Sequence, residues 1–354
     1  MIIGAGIAKP ERGTSLVISH GSALEAYRRA RWDGAEGPLL EELYPDVMIP
    51  SLGAEVLAAD ESLRPLVLPT NVQEAATYAR TLVGVSGKLD LIVGRARSRR
   101  SSAVASCHVW TGPVSDGLVS HLDASTYLSG PELLFVQLAG RLSKVGLLEL
   151  GFELCGTYVI HPDGLDCRVG VRPLTTPDRL RWIARSCSGT TGISKARWAA
   201  EHVLAGSNSP METKLAILLS LPRSEGGWDC GTPLLNHQIP LSREAQGHCG
   251  RRHLTADLYF VKARTDVEYH GRRWHSRLAD KVSDDARANA LDMMGVHCNV
   301  VWGAQLYDER AMDGVASLLR NRARMRPHRT PETAKMRLAR SELLEELRGS
   351  GRID

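Results

Sequence analysis

Leu254-Thr255-Ala256-Asp257-Leu258-Tyr259-Phe260, a short polar turn, then Asp266-Val267-Glu268-Tyr269-His270-Gly271 reads as a β-hairpin. Strand side chains alternate faces. Ala256, Leu258 and Phe260 therefore share one face, and Thr255, Asp257 and Tyr259 the other. On the return strand, Val267 and Tyr269 match the apolar face, and Asp266, Glu268 and His270 match the polar one. A connection from Val261 to Arg264 pairs Phe260 with Thr265, which sets Asp257 opposite Glu268 and Thr255 opposite His270. Like charges directly opposite each other destabilise a sheet. A divalent metal is the commonest reason for a chain to keep them. The alternative is a solvated hairpin with ordinary surface acids and a register shifted by a residue or two.

Outward from the hairpin the pattern is helix, strand, hairpin, helix, strand. A short helix spans Met211 to Leu221, and strand-like residues run from Leu234 to Leu241. Beyond the hairpin, Ser283 to Met294 forms a helix stopped by Gly295, and Val296 to Trp302 is an apolar strand. That order predicts an α-β-β-β-α-β unit of ordinary domain size within an α/β protein. Gly206 to Pro210 marks its upstream boundary. The predicted division is a mixed α/β region over 1–206, the α-β-β-β-α-β domain over 207–325 and a basic C-terminal helix over 326–354.

The N-terminal region carries its own signals. Ser22 is placed to cap a helix, with Glu25 at the capping-box position, and Thr70 or Asn71 to cap another over Val72 to Leu82. Leu89 to Val93 and Ala103 to Trp110 read as strands flanking an arginine-rich turn. Leu134, Leu138 and Leu142 recur at helical spacing and predict one long helix from Leu133 to Leu148. Tyr158 to Ile160 reads as a short strand. Thr176-Pro177-Asp178 opens a helix, Gly189 to Gly192 interrupts it, and Ser194 to Leu204 forms the next. Residues 1–14 read as a loose lead-in.

The 354 residues carry a net charge of +4, which leaves room for two or three domains. No apolar run approaches the roughly 20 residues that a membrane span needs. The N-terminus lacks the charged start and apolar centre of a signal peptide, so the expected location is the cytoplasm. The seven cysteines form no Cys-x-x-Cys pair and imply no disulfide framework. Basic residues cluster at Arg95, Arg97, Arg99 and Arg100 and again from Arg320 to Arg340. Such patches suit a phosphate backbone, although a solvated loop or helix face accounts for any single charge run.

A set of carboxylates, two histidines and an arginine gathers around the polar face of the hairpin. Glu212 opens the first helix of the unit, and His275 and Arg287 follow the hairpin. Oxygen ligands from Asp257 and Glu268 would hold Mg²⁺ beside a substrate phosphate, with a histidine to move the proton and an arginine to clamp the phosphate. The candidate nucleic-acid contacts are Arg97, Arg99, Arg100, Arg272, Arg273 and Arg287.

From Ser209 to about Arg322 the chain resembles the PD-(D/E)XK nuclease superfamily, in its very-short-patch-repair endonuclease-like branch. The resemblance rests on Ser209-Pro210-Met211-Glu212, Asp257, Glu268-Tyr269-His270-Gly271, His275, the helix from Asp284 to Leu291, and Gly295-Val296. It implies a restriction-endonuclease-like core acting on nucleic acid, DNA first among them, with Asp257 and Glu268 binding the metal. It also implies that Glu212 supports the metal or its water and that His275 is a catalytic histidine. His270 stands where the superfamily carries lysine and the branch carries aspartate. An imidazole there suits Mg²⁺ poorly and Mn²⁺ or Zn²⁺ better. The alternative is a catalytically inactive, nucleic-acid-binding transcriptional regulator of antitoxin type.

The N-terminal half is similar to AbiEi-type proteins of abortive-infection toxin–antitoxin systems. That similarity rests on Ile18 to Ala23, His108-Val109-Trp110 and Ser129 to Leu133. It implies DNA-binding regulation or phage defence, with a toxin as partner. Three further signals carry less. Gly4-Ala5-Gly6 lacks the strand and third glycine of a dinucleotide fingerprint. His248, Cys249 and His253 lack a second ligand cluster for zinc. His20 and His108 have no sequence neighbours that make them ligands or bases, and read as core or surface histidines.

Overall fold

The computed structural model describes residues 16–33, 72–96, 99, 101–112, 116–123, 125–271, 278–328 and 330–350, with the side chains of 278–284 outside the description. The chain forms two compact units. One comprises the residues up to Leu154 with Val159–Asp163 and Val171–Val203. The other comprises Cys155–Tyr158, Gly164–Gly170 and everything from Leu204. The protein is mixed α/β, as the sequence predicts. Among the described residues no helix is long and apolar enough to cross a membrane.

In the first unit the chain runs through β1 (Leu16–Ile18), α1 (His20–Asp33), α2 (Val72–Val83), β2 (Leu89–Val93) and β3 (Ala105–Val109). It continues through β4 (Val119–His121), β5 (Thr126–Ser129), α3 (Pro131–Leu138) and α4 (Lys144–Cys155). The strand β6 (Tyr158–Ile160) follows, then β7 (Cys167–Val169), which belongs to the other unit, and then α5 (Pro177–Ser186) and α6 (Ile193–His202) of the first unit. The sheet has the order β3-β2-β1-β5-β4, with β1 parallel to β5 and antiparallel to β2. Leu16, Val17 and Ile18 in the central strand are fully buried, as expected for a short strand covered on both faces.

Two local expectations for this unit change. The helix placed over Leu133 to Leu148 is two helices. Gly140 lies in the break, and the Ser143 hydroxyl accepts the Gly146 N–H at 2.9 Å, which starts a new helix. All eight residues of α3 are buried, so its leucines are no single amphipathic stripe. The first helix begins at His20 rather than after Ser22. The Ser22 hydroxyl instead accepts the Asp90 N–H at 2.8 Å and ties α1 to β2. The start of α5 is as predicted, with the Thr176 side chain capping and Pro177 in the first turn.

The second unit runs α7 (Pro210–Ser220), β8 (Leu234–Pro240), α8 (Arg243–Cys249), β9 (His253–Phe260), β10 (Thr265–His270), α9 (Leu278–Met293) and β11 (His297–Trp302). It ends with α10 (Gly303–Leu306), α11 (Glu309–Arg322) and α12 (Ala334–Gly349). The predicted order of helix, three strands, helix and strand is present, with α8 as an addition capped by Ser242. The sheet order is β11-β10-β9-β8. β8, β9 and β10 are antiparallel neighbours, and β11 returns parallel to β10 after α9. Leu254 and Ala256 point into the core between the sheet and the pair α8–α9, together with Ile239, Ala245, Ala290 and Leu291.

Much of the C-terminal basic run works inward. Arg340 is buried, lies over the Trp228 ring at 4.5 Å, and pairs with Glu332 at 2.8 Å and Glu309 at 3.4 Å. It also donates to the carbonyls of Gly226 and Gly227. Gly226 needs its positive φ of 90°, and a Cβ there would strike the Ala339 carbonyl. Arg320 donates to the Asp229 carbonyl, and Arg322 to the Ala263 carbonyl. These guanidiniums join α11 and α12 to the rest of their unit. Replacing Arg340 by alanine removes a desolvated cation and strands two carbonyls. It is expected to lower stability by about 2–3 kcal/mol, read as an earlier thermal transition followed by tryptophan fluorescence.

Candidate metal centre

The hairpin register is the one the sequence predicts as far as it goes. Phe260 pairs with Thr265, Tyr259 with Asp266, and Leu258 with Val267. There the backbone ladder between β9 and β10 stops. β9 continues against β8, with Ala256 opposite His237 and Thr255 opposite Gln238. β10 continues against β11, with Glu268 opposite Val300 and His270 opposite Trp302. The sheet therefore opens where Asp257 and Glu268 lie, and the expected pairing of Thr255 with His270 does not form. The Asp257 side chain closes part of the gap, since its Oδ2 accepts the Tyr269 N–H at 3.1 Å.

Arg287, from α9, fills the remainder. It donates to Glu268 Oε1 at 2.8 Å through Nε, to Asp266 Oδ2 at 3.3 Å and to the Thr255 carbonyl. A residue that the sequence places against a phosphate backbone is here held by carboxylates inside the split sheet. Its guanidinium is kept protonated by those acids, chiefly Glu268, against the opposing effect of burial.

Asp266 is fully buried. Its Oδ2 meets Arg287, but its Oδ1 has no hydrogen-bond partner. A buried carboxylate oxygen without a donor is rare enough to require an explanation. Burial, with the nearby charges of Glu268 and Asp257, pushes the Asp266 carboxyl up to about 9. Burial and the charges of Glu212 and Glu268 push Asp257 up to about 7. β11 lies parallel to β10 and sets Cys298 beside Asp266. Ligand atoms of Asp266, Glu268 and Cys298 lie within 4.8 Å of one another. Burial and the same acids push the Cys298 thiol up to about 12.

Glu212 completes the set from α7. Ser209 caps that helix by accepting the Glu212 N–H at 3.1 Å, and its hydroxyl donates back to Glu212 Oε1 at 3.1 Å. Glu212 Oε2 accepts the Asn208 N–H at 2.9 Å and Asn236 Nδ2 at 2.8 Å. Burial still raises its carboxyl above the usual range. Asn236 reaches this position from a left-handed backbone conformation, φ 47°, on β8. The His270 Nε2 lies 3.5 Å from Glu268 Oε2, and its ring meets Trp302 edge-on.

The structure thus brings together Glu212, Asp257, Glu268, His270 and Arg287. It adds Asp266, Cys298 and Asn236, which the sequence reading did not assign to the site. Asp266 stands on the same strand alternation as Glu268, so its face was legible. Nothing in the sequence marks Cys298 or Asn236, because only the β10–β11 register and the path of β8 bring them in. His275, Arg272 and Arg273 lie outside the described residues, as do Arg97 and Arg100. Arg99 is exposed in the first unit. Among the described residues, the trio His248, Cys249 and His253 forms no candidate ligand cluster.

These residues fit a small divalent cation. The unpartnered Asp266 Oδ1 and the Glu268 carboxylate supply hard oxygen donors beside the Cys298 thiol, whereas Asp257, a ligand by the sequence reading, lies outside this ligand-distance group. The Cys298 thiol in the group and the His270 imidazole beside Glu268 suit Mg²⁺ poorly and Mn²⁺ or Zn²⁺ better. Comparison with protein-family models, with curated proteins and with solved structures gives no match to this chain.

The buried acids also set a pH dependence. Asp266 and Asp257 hold protons in the folded state that the unfolded chain releases near pH 4. Between pH 4 and about 9 the folded state therefore binds more protons, and stability falls as pH rises. In chelator-treated protein, urea midpoints are expected to drop from pH 5 to pH 9. Asp266→Asn is expected to flatten that slope.

Proposed function

We propose that the second unit is a metal-dependent endonuclease domain that hydrolyses phosphodiester bonds in DNA, with Asp257, Asp266 and Glu268 holding Mn²⁺ or Mg²⁺. One observation carries this reading. Where β9 and β10 part, Asp266, Glu268 and Cys298 bring ligand atoms within 4.8 Å of one another, one guanidinium pairs with the two acids, and Asp266 Oδ1 is left without any donor, while Asp257 stands beside them on the Tyr269 N–H. Excess buried negative charge needs either protons or a cation. A bound divalent ion supplies an acidic water and offsets charge building on the phosphate. The chain's own groups do the rest. Glu212, fixed by three hydrogen bonds, adds negative potential beside Asp257. His270 offers an imidazole at the edge of the opening that can carry a proton. Arg287 holds Glu268 and Asp266 in place.

The same arginine favours a second reading, a nucleic-acid-binding domain of antitoxin type without catalysis. Its ion pairs occupy two of the carboxylates that a metal would use, and no lysine stands at the end of β10. A role in phage defence, with or without a toxin partner, belongs to either reading.

Plasmid nicking in Mg²⁺ and in Mn²⁺ tests the proposal. The wild-type chain is expected to nick DNA, faster in Mn²⁺. Asp257→Ala is expected to reduce the rate by about a hundredfold or more, as loss of a metal ligand does. Chelator-sensitive cleavage that survives Asp257→Ala would remove the assignment. DNA binding without cleavage in either metal would establish the second reading.

A further inference from the structure

The first unit carries another cluster of chemistry-bearing side chains. His20, Asp90, His108 and Arg141 are far apart in sequence, and the fold gathers them at the start of α1. The His20 and His108 rings lie 4.3 Å apart, inclined at 46°. His108 Nε2 is 2.7 Å from Asp90 Oδ1. The Arg141 guanidinium spans both Asp90 oxygens, at 3.2 Å and 3.3 Å, and its Nη2 lies 2.8 Å from His108 Nε2. His20 is buried, as a core histidine is, and the fold gives it and His108 neighbours that the local sequence does not show.

The groups are held with some strain and little freedom. His20 opens α1 at φ 48°, a left-handed conformation that is strained for a non-glycine residue. Its backbone N–H is held by Gln137 Oε1, and Gln137 in turn donates to Ser129. Gln137 and Ser129 are both buried. Such strain persists only where the surroundings over-determine it, and it concentrates at functional positions.

The donors point to one kind of ligand. His20 is over nine-tenths buried. The Ser19 hydroxyl lies 2.9 Å from His20 Nδ1, and in the tautomer in which it donates there, Nε2 carries the ring N–H. That Nε2 has no partner among the described residues. Burial, with the neighbouring His108 and Arg141, brings the His20 pKa down to about 3, so the ring is neutral near pH 7. The N–H groups of Gly21 and Ser22, in the first turn of this 14-residue helix, also have no partner among the described residues, and Gly21 is exposed. Arg141 uses two of its five N–H groups on Asp90, and its side chain is 42% exposed. Asp90 faces His108 and Arg141. Burial would raise its carboxyl, but their hydrogen bonds outweigh this and hold it at about 2, so it fixes the guanidinium rather than binding a metal.

We propose that the start of α1, His20 Nε2 and Arg141 form a binding site for a phosphate group, with His108 and Asp90 positioning the arginine. A helix N-terminus, an unpaired ring donor and an oriented guanidinium are the recognised elements of phosphate capture. Gly21 suits the position because a side chain there would stand over the site, its Cβ 3.2 Å from Asp90 Oδ2. The site is independent of the metal centre in the second unit. The ligand is either free phosphate or the phosphate ester of a nucleotide.

The test uses the full chain in chelator, so that the carboxylate cluster holds no metal. Calorimetric titration with inorganic phosphate and with adenosine 5′-monophosphate is expected to show saturable binding, weakened about tenfold or more by Arg141→Gln. Tighter binding of the monophosphate identifies an ester ligand, and equal binding identifies free phosphate. Absence of saturable binding of either probe overturns the proposal, as does unchanged affinity in a folded Arg141→Gln protein. A second measurement needs no variant. Phosphate is expected to move the imidazole NMR signals of His20 and His108 in the wild-type chain. Shifts confined to other histidines overturn the assignment.

Discussion

Four acidic side chains, Glu212, Asp257, Asp266 and Glu268, crowd one largely desolvated region, and one guanidinium, that of Arg287, makes ion pairs with two of them. Charge that leaves water must be paired, protonated or matched by an ion. Arg287 satisfies Glu268 and one oxygen of Asp266, while Asn236, Ser209 and a backbone N–H satisfy Glu212. What is left over, Asp257 and the second oxygen of Asp266, is pushed toward the protonated form, Asp266 to about 9 and Asp257 to about 7. The second unit is arranged around that imbalance.

The imbalance depends on how the sheet opens. Were β9 and β10 paired to their ends, Asp257 and Glu268 would face each other across a regular ladder. Instead each strand follows its other neighbour, β9 toward β8 and β10 toward β11. The freed backbone groups are met by side chains, with Asp257 taking the Tyr269 N–H and Arg287 donating to the Thr255 carbonyl. The chemistry-bearing groups therefore also complete the hydrogen bonding of the split sheet. Removing any one of them alters both the local structure and the electrostatics.

Several of the described arginines play an inward role. Arg340, Arg320 and Arg322 bind carbonyls and acids within the second unit, and Arg141 spans Asp90 in the first. A basic run in sequence looks like a surface for polyanions, yet a guanidinium has five donors and joins several backbone carbonyls at once. Of the arginines read as nucleic-acid contacts, Arg287 is consumed in this way, while Arg99 remains on the surface.

The hairpin register, the order of elements in the second unit and the shared face of Asp266, Glu268 and His270 were all decided by local rules. Alternation has a period of two residues, and the length of a short turn sets the pairing beside it. Helix starts at Pro177 and Pro210 were equally local, because a hydroxyl cap and a proline act within one turn. Local rules failed where a distant group intervened. Ser22 could have capped a helix, but the Asp90 backbone claimed its hydroxyl. The end of the β9–β10 ladder, the arrival of Cys298 beside Asp266, and the meeting of His20 with His108 depend on strand order. Parallel neighbours and sheet order join residues across long loops, and no short-range pattern encodes which strands those loops bring together.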